Sequence, residues 1–333
     1  MTTLLVSTSF ASEFGAELDA FAKVHALPLE LVVLPSDVDA RVTPEDTARV
    51  TAALFSGDIH PERSRSFYST LRKAQHLQWL HVFNAGVDAP IFTELMQRSV
   101  RLSTSSGSNA EAVANSALAG LLALSRGLPR WIAQQREREW RKTPRAEARP
   151  DLRGQTLLLI GAGAIGGHIA TVARALGLQV VVVRLRPGAP GDDAHETHPP
   201  SRLNALLPRA DWLIIACPLT PETRGLIDAA ALARLPTGAH VVNIGRGEII
   251  DQPALIAALE RGDVAGAYLD VFDPEPLPLD SLLWSLPNVI VSPHDAATAA
   301  GNDRRVFEMF CANLARWHAR EPLLNEVTTQ AAR

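Results

Sequence analysis

The sequence predicts an α/β fold made of two doubly wound parallel sheets. Short apolar runs of buried-strand composition alternate with stretches of helical spacing along nearly the whole chain. Strands that alternate with helices form a parallel sheet covered on both faces. At 333 residues the chain is long for one domain and comfortable for two. A hydrophobic content of 47% supplies sizeable cores, and 20% charged residues is an ordinary globular balance.

The first series of elements opens with a strand over 3–7, a helical stretch over 11–25 and a second strand over Leu29–Leu34. Residues 52–57 read as a third strand, and 66–74 have helical spacing. The β-type run over 77–83 is closed by Asn84-Ala85-Gly86-Val87-Asp88, and a short strand over 100–104 ends the series. Ser108-Asn109-Ala110-Glu111 has the capping-box pattern and opens a long Ala/Leu-rich helix to about Arg126. Gly127 and Pro129 end that helix, a charged helix follows over 131–142, and 143–151 is a polar, proline-bearing loop.

The second series is organised around one turn. The apolar run Thr156–Ile160 reads as a buried strand and flows into Gly161-x-Gly163-x-x-Gly166. A helical pattern over 165–176 ends at Gly177, and Gln179–Val183 reads as the next strand. Glycines at the first turn of a β-α-β unit mark a dinucleotide site. Gly161 permits the tight turn. Gly163 lets backbone approach a pyrophosphate, whose charge meets the helix N-terminus at Ala164 and Ile165. Gly166 lets helix pack on strand. The strand-turn-helix-strand setting favours this reading over a purely structural glycine turn.

The end of the second strand bears on which dinucleotide. A carboxylate about 20 residues on would bind the ribose 2′-hydroxyl of NAD. Here the strand end reads Val183-Arg184-Leu185-Arg186-Pro187, without one. Two arginines attract a 2′-phosphate and fork onto it. Arg184 and Arg186 therefore predict NADP(H) in preference to NAD(H), against the plainer reading of a solvated basic turn.

Beyond the loop at 187–191 lie His195 and His198, read as solvated because no third metal ligand is near in sequence; no metal is expected. Strands follow at 210–216, ending in Cys217-Pro218-Leu219-Thr220, and at 239–244, 264–271 and 288–291. Helices are expected over 253–260 and 302–320.

The formal charge is −4 with no long basic run, which gives no electrostatic case for nucleic acid or an anionic membrane. Cys217 and Cys311 are the only two cysteines, which is no disulfide framework and suits a reducing compartment. The thiol of Cys217 reads as a packing group. The start of the chain lacks the features of a signal peptide, and no run approaches the roughly 20 apolar residues of a membrane span. A cytoplasmic protein is expected.

Six motifs follow one another in order: Gly86-Val87-Asp88; the glycine turn; Pro218-Leu219-Thr220-x-x-Thr223-Arg224-Gly225; Asn243-Ile244-Gly245-Arg246-Gly247-Glu248-Ile249-Ile250-Asp251; Leu269-Asp270-Val271-Phe272-x-x-Glu275-Pro276-Leu277; and Pro287-Asn288-Val289-x-x-Ser292-Pro293-His294. Together, from about 77 to 317, they resemble the D-isomer-specific 2-hydroxyacid dehydrogenases. The resemblance implies a Rossmann-type cofactor domain, 106–298, inserted in a flavodoxin-like substrate domain, 1–105 with 299–333. It implies that Cys217, Pro218, Thr223, Ile244 and Gly245 line the cofactor, with Asp270 on the nicotinamide carboxamide. It implies that the backbone at Ala85, Gly86 and Val87 receives the substrate carboxylate, and that helices between 110 and 140 form a homodimer. The substrate side chain is set mainly by the first hundred residues, with Trp79, Phe83 and Asn84 as candidates. Two positions depart from the family pattern: Asn115 stands where a glutamate is usual, and Gly245 where threonine or serine is customary.

The chemistry of the residues agrees with the resemblance. Reduction of a 2-oxo acid needs a hydride at carbon and a proton at oxygen. Arg246, after a buried strand, is placed to hold a carboxylate and polarise the neighbouring keto oxygen. A histidine titrates near neutrality, so His294 suits the proton, and Glu275 beside it would orient the ring and favour the imidazolium. A lone histidine is more often a packing or surface residue; here three matching motifs converge on it. Within the family, the arginines after the second strand and the compact length look most like NADPH-dependent glyoxylate/hydroxypyruvate reductases. With the sequence stopping at Arg333, no added regulatory domain is expected, which argues against typical long phosphoglycerate dehydrogenases. Glu275 stands where formate dehydrogenases carry glutamine. The rival reading is a non-catalytic, NAD(P)-sensing binding protein of the corepressor type, which the complete Arg246, Glu275, His294 set disfavours.

Overall fold

Apolar runs bounded by polar turns become the strands of two separate sheets. The structure is a computed structural model that describes residues 1–37, 39–87, 89–185 and 192–327. The chain divides into one unit of Met1–Ser108 joined by the chain from Ala299 onward, and a second of Asn109–Thr298. The motifs alone place these divisions at 105/106 and 298/299.

The first unit runs β1 (Thr2–Ser7), α1 (Thr8–Val24), β2 (Leu29–Leu34), α2 (Pro44–Arg49), β3 (Ala52–Phe55), α3 (Ser64–Lys73), β4 (Trp79–Val82), α4 (Pro90–Gln97) and β5 (Arg101–Thr104). All pairings are parallel, in the order β2-β1-β3-β4-β5. Alternate residues of one strand feed opposite faces. Leu5 joins Phe67, Leu71, Phe92 and Leu95 from α3 and α4. Leu4 and Val6 join Phe10 and Phe14 of α1 and Phe307 and Phe310 of the final helix, Asn302–His318. Phe14 stacks on Phe307 with ring centroids 4.7 Å apart.

Trp79 is close in sequence to the substrate turn, but it belongs to this core and not to a substrate pocket. It is fully buried, stacks on Phe310 at 5.3 Å and donates its indole N–H to Ser103 Oγ at 2.9 Å. As the first residue of β4 it lies at the opposite end of the strand from Phe83 and Asn84.

The second unit runs α5 (Ala110–Arg126), α6 (Leu128–Glu137), β6 (Thr156–Ile160), α7 (Ala164–Ala175), β7 (Gln179–Val183), β8 (Glu196–His198), α8 (Leu203–Leu206), β9 (Trp212–Ile215), α9 (Ala229–Leu232), β10 (Ala239–Asn243), α10 (Gln252–Arg261), β11 (Val264–Leu269) and β12 (Val289–Val291). Its seven strands are parallel in the order β12-β11-β10-β9-β6-β7-β8. Helices α5 and α7 cover one face. Helices α8, α9 and α10 cover the other.

Three local expectations are corrected. The helix near 110 carries no capping box: Asn109 is its N-cap with φ −105 and ψ 7 and no side-chain cap bond. That conformation is far from the extended one that turns a cap side chain toward the helix N–H groups. Gly127 ends α5 in a left-handed conformation, but Pro129 belongs to the first turn of α6, which starts earlier than the charged stretch suggests. His195 is an exposed loop residue as expected, although its Nδ1 accepts the Val180 N–H at 3.0 Å, but His198 is half-buried and closes β8.

Candidate active site

The strand order of the second unit reverses between β6 and β9, because the chain leaves β6 toward β7 while β9 lies on its other side. Open α/β sheets bind ligands at the carboxyl ends of strands at such a point. Gly161 turns there with φ +94, and a Cβ on it would lie 2.8 Å from the backbone of Ala216 and Cys217 at the exit of β9. A Cβ on Gly166 would lie 2.1 Å from the Gly161 carbonyl oxygen. At Gly163 the space is open, with nothing within 4 Å. Gly163 heads α7 without a side-chain cap bond, so the first N–H groups of that helix have no side-chain acceptor from it. A helix start with open backbone in front of it fits a pyrophosphate.

The other cofactor candidates have defined local roles. Arg184 donates its backbone N–H to the His198 carbonyl at 3.0 Å, and its guanidinium pairs with Asp192. Arg186 lies outside the described residues, as does Asp88. Cys217 is buried, and burial pushes its thiol up to about 11, so it is a packing group. Thr223 Oγ1 donates to the exposed Pro218 carbonyl at 2.8 Å and accepts the Thr220 N–H at 2.7 Å, which closes their turn. Ile244 is buried. A Cβ on Gly245 would lie 2.9 Å from the Cys217 carbonyl oxygen, so the customary serine or threonine would collide there. Asn115 is an exposed residue of α5.

Strands β10, β11 and β12 are neighbours, and the loops that leave them carry Arg246, Glu275 and His294. The first two loops touch: a Cβ on Gly247 would lie 2.0 Å from the Phe272 carbonyl carbon. Glu275 Oε1 accepts the Phe272 N–H at 3.0 Å, and its Oε2 is 2.7 Å from His294 Nδ1. With Nδ1 donating to the carboxylate, Nε2 is left for chemistry, on a side chain 48% exposed. His294 has φ +54, a left-handed conformation that costs a non-glycine residue on the order of 1–3 kcal/mol and clusters at functional sites. Arg246 is half-buried and donates Nη1 to the Gly245 carbonyl at 2.8 Å. Ala85, Gly86 and Val87 form a turn in the first unit, after β4, where Asn84 donates Nδ2 to the Gly86 carbonyl.

Residues 118–296 match the family described as D-isomer specific 2-hydroxyacid dehydrogenase, NAD binding domain. The chain belongs to the D-isomer specific 2-hydroxyacid dehydrogenases. A family member from Xanthobacter autotrophicus Py2, crystallised with NADPH and MES, is 28% identical with a TM-score of 0.78, over 100% of this chain and 99% of that one. An NADPH-dependent glyoxylate/hydroxypyruvate reductase from Sinorhizobium meliloti, crystallised with NADP and sulfate, is 26% identical with a TM-score of 0.76, again over 100% and 99%. The D-3-phosphoglycerate dehydrogenase of Bacillus subtilis is 37% identical over 214 residues, 64% of this chain and 40% of that protein.

This dehydrogenase contains a functional contribution that the sequence does not reveal. Asp270 is 3% exposed, and its Oδ1 accepts the Ser292 hydroxyl at 2.6 Å, the Asp295 N–H at 3.0 Å and the Ala296 N–H at 3.1 Å. It therefore holds the loop that carries His294, besides any contact with nicotinamide. The only trace in sequence is the polar residue just after the apolar run of β11. Among the described residues no group of three or more His, Cys, Asp or Glu side chains is arranged to hold a metal ion.

Proposed function

We propose that this protein reduces a small 2-oxo acid of the glyoxylate/hydroxypyruvate type to the D-2-hydroxy acid with NADPH. The observation that carries the reading is the 2.7 Å contact between His294 Nδ1 and Glu275 Oε2 at the carboxyl edge of the cofactor-type sheet. A dinucleotide held at the glycine turn would supply the hydride chemistry. His294 Nε2 gives its proton to the keto oxygen, and the Glu275 carboxylate on Nδ1 orients the ring. Arg246 receives the substrate carboxylate and draws charge toward the oxygen. Gly161, Gly163 and Gly166 shape the pyrophosphate cradle, and Asp270 faces the nicotinamide carboxamide.

NADPH over NADH is supported by Arg184 and Arg186 after β7, where no carboxylate ends the strand. Because Arg184 pairs with Asp192, a 2′-phosphate would take over that guanidinium from a carboxylate. No helix of the described residues is long and apolar enough to cross a membrane. A cytoplasmic homodimer is part of the proposal: Leu122, Trp131, Ile132 and Trp140 are exposed apolar side chains in the region of α5 and α6.

The test is oxidation of NADPH and NADH against glyoxylate, hydroxypyruvate, pyruvate and phenylpyruvate. Turnover with NADPH on one of the first two supports the reading. A clear preference for NADH overturns the cofactor assignment, and tight dinucleotide binding with no turnover on any acid favours the sensor reading.

A further inference from the structure

The His294 loop is pinned from several sides. The His294 backbone N–H reaches the Asp270 carbonyl at 2.8 Å, and the Ser292 N–H reaches the Leu269 carbonyl at 3.0 Å. The Asp270 carboxylate takes the N–H groups of Asp295 and Ala296, the two residues after His294. From α5, the Ser116 hydroxyl donates to the Ala296 carbonyl at 3.3 Å. A non-glycine residue keeps a left-handed backbone only where its surroundings over-determine it. The bonds on both sides of His294 do that.

One chain of hydroxyls, Tyr268 and Ser292, reaches this clamp, with the Ser116 hydroxyl also beside the Tyr268 phenol. Ser292 Oγ is 2.6 Å from Asp270 Oδ1 and 2.9 Å from the Tyr268 hydroxyl. Ser292 has a single hydroxyl hydrogen. A carboxylate only accepts, so that hydrogen goes to Asp270 and the Tyr268 phenol is the donor to Ser292. Tyr268 is 6% exposed, and burial raises its pKa, which keeps it neutral and donating. Its ring is fixed from the other side, since a Cβ on Gly120 of α5 would lie 2.4 Å from it.

We propose that Tyr268 and Ser292 are positioning residues for proton transfer: the ordered relay Tyr268 to Ser292 to Asp270 fixes the carboxylate that holds His294 left-handed, with its Nδ1 on Glu275 and its Nε2 toward the substrate. The inference rests on His294 as the proton donor. Two anchors then act on one residue, Glu275 on the ring and Asp270 on the backbone. Loosening the second leaves the imidazole chemically competent but misplaced, and small misplacements of a reacting group are costly in rate.

The experiment compares Ser292→Ala, Ser292→Thr and Tyr268→Phe with the unchanged enzyme and with His294→Gln. Ser292→Ala is expected to lower kcat about tenfold or more, with dinucleotide Kd within about twofold, and to raise the solvent deuterium isotope effect on kcat as proton transfer becomes limiting. Ser292→Thr keeps the hydroxyl and is expected to restore kcat. Tyr268→Phe is expected to show a weaker form of the same effect, and it carries the test if Ser292→Ala does not fold. In a His294→Gln background, adding Ser292→Ala is expected to cost nothing further. An unchanged kcat and isotope effect in both hydroxyl variants overturns the relay while His294→Gln is inactive. Full turnover by His294→Gln overturns the underlying assignment instead.

Discussion

The Nδ1 atom of His294 lies 2.7 Å from Oε2 of Glu275, and the other oxygen of that carboxylate is held by the Phe272 N–H at 3.0 Å. One carboxylate thus ties the ring that follows β12 to the loop that follows β11. Removing its charge should harm chemistry before it harms folding. Glu275→Gln is expected to lower kcat by about 10- to 100-fold with dinucleotide affinity unchanged, measured by steady-state kinetics and fluorescence titration. An unchanged kcat would separate Glu275 from the proton step.

The three glycines of the cofactor turn should respond differently to alanine. Gly166→Ala places a Cβ 2.1 Å from a carbonyl oxygen, so it is expected to lower Tm by several degrees or to prevent folding. At Gly163 nothing lies within 4 Å, so Gly163→Ala should keep its Tm and weaken dinucleotide binding. Equal Tm losses in both variants would remove the case for an open cradle at Gly163.

Gly245→Ser brings a Cβ to 2.9 Å from the Cys217 carbonyl. The variant is expected to lose about 1–3 kcal/mol of stability, read by urea unfolding, because overpacking forces backbone shifts. The family's customary residue should therefore be the worse one here unless the 217–218 backbone moves.

Stability should fall in mild acid. His81 is fully buried between the Ser103 and Ser105 hydroxyls at 2.8 and 2.9 Å, and burial lowers its pKa to about 3. Burial, helped by Arg149, lowers His240 to about 4. An unfolded histidine binds its proton near pH 6.5. The stability tied to neutral His81 is thus complete above that value and is lost as pH falls from there toward 3. Each such proton contributes a slope of about 1.4 kcal/mol per pH unit. His81→Asn is expected to flatten urea-derived stability against pH by about one proton in this window, whatever its effect at neutral pH. An unchanged slope would contradict the buried, neutral state.

Apolar runs long enough to cross a sheet, such as Thr156–Ile160 and Gln179–Val183, are legible in the sequence because a parallel strand buried on both faces leaves no room for polar residues. Elements that rest on few buried groups are not. Glu196–His198 is a polar edge strand whose place depends on pairing with β7, which no local pattern encodes. Helix α2 escapes although Thr43 accepts the Asp46 N–H and Pro44 follows it, a legible cap on an element of only six residues. Motif order brings Arg246, Glu275 and His294 into view. The left-handed backbone of His294 and the grip of Asp270 on its loop do not follow, because both depend on hydrogen bonds between the exits of two paired strands, which no local pattern encodes.

Whether His294 supplies the proton is decided by kcat of His294→Gln with hydroxypyruvate and NADPH, measured alongside the dinucleotide Kd of the same variant. A fall in kcat of about 100-fold or more is expected, with Kd within about twofold. Turnover near that of the unchanged enzyme would contradict it.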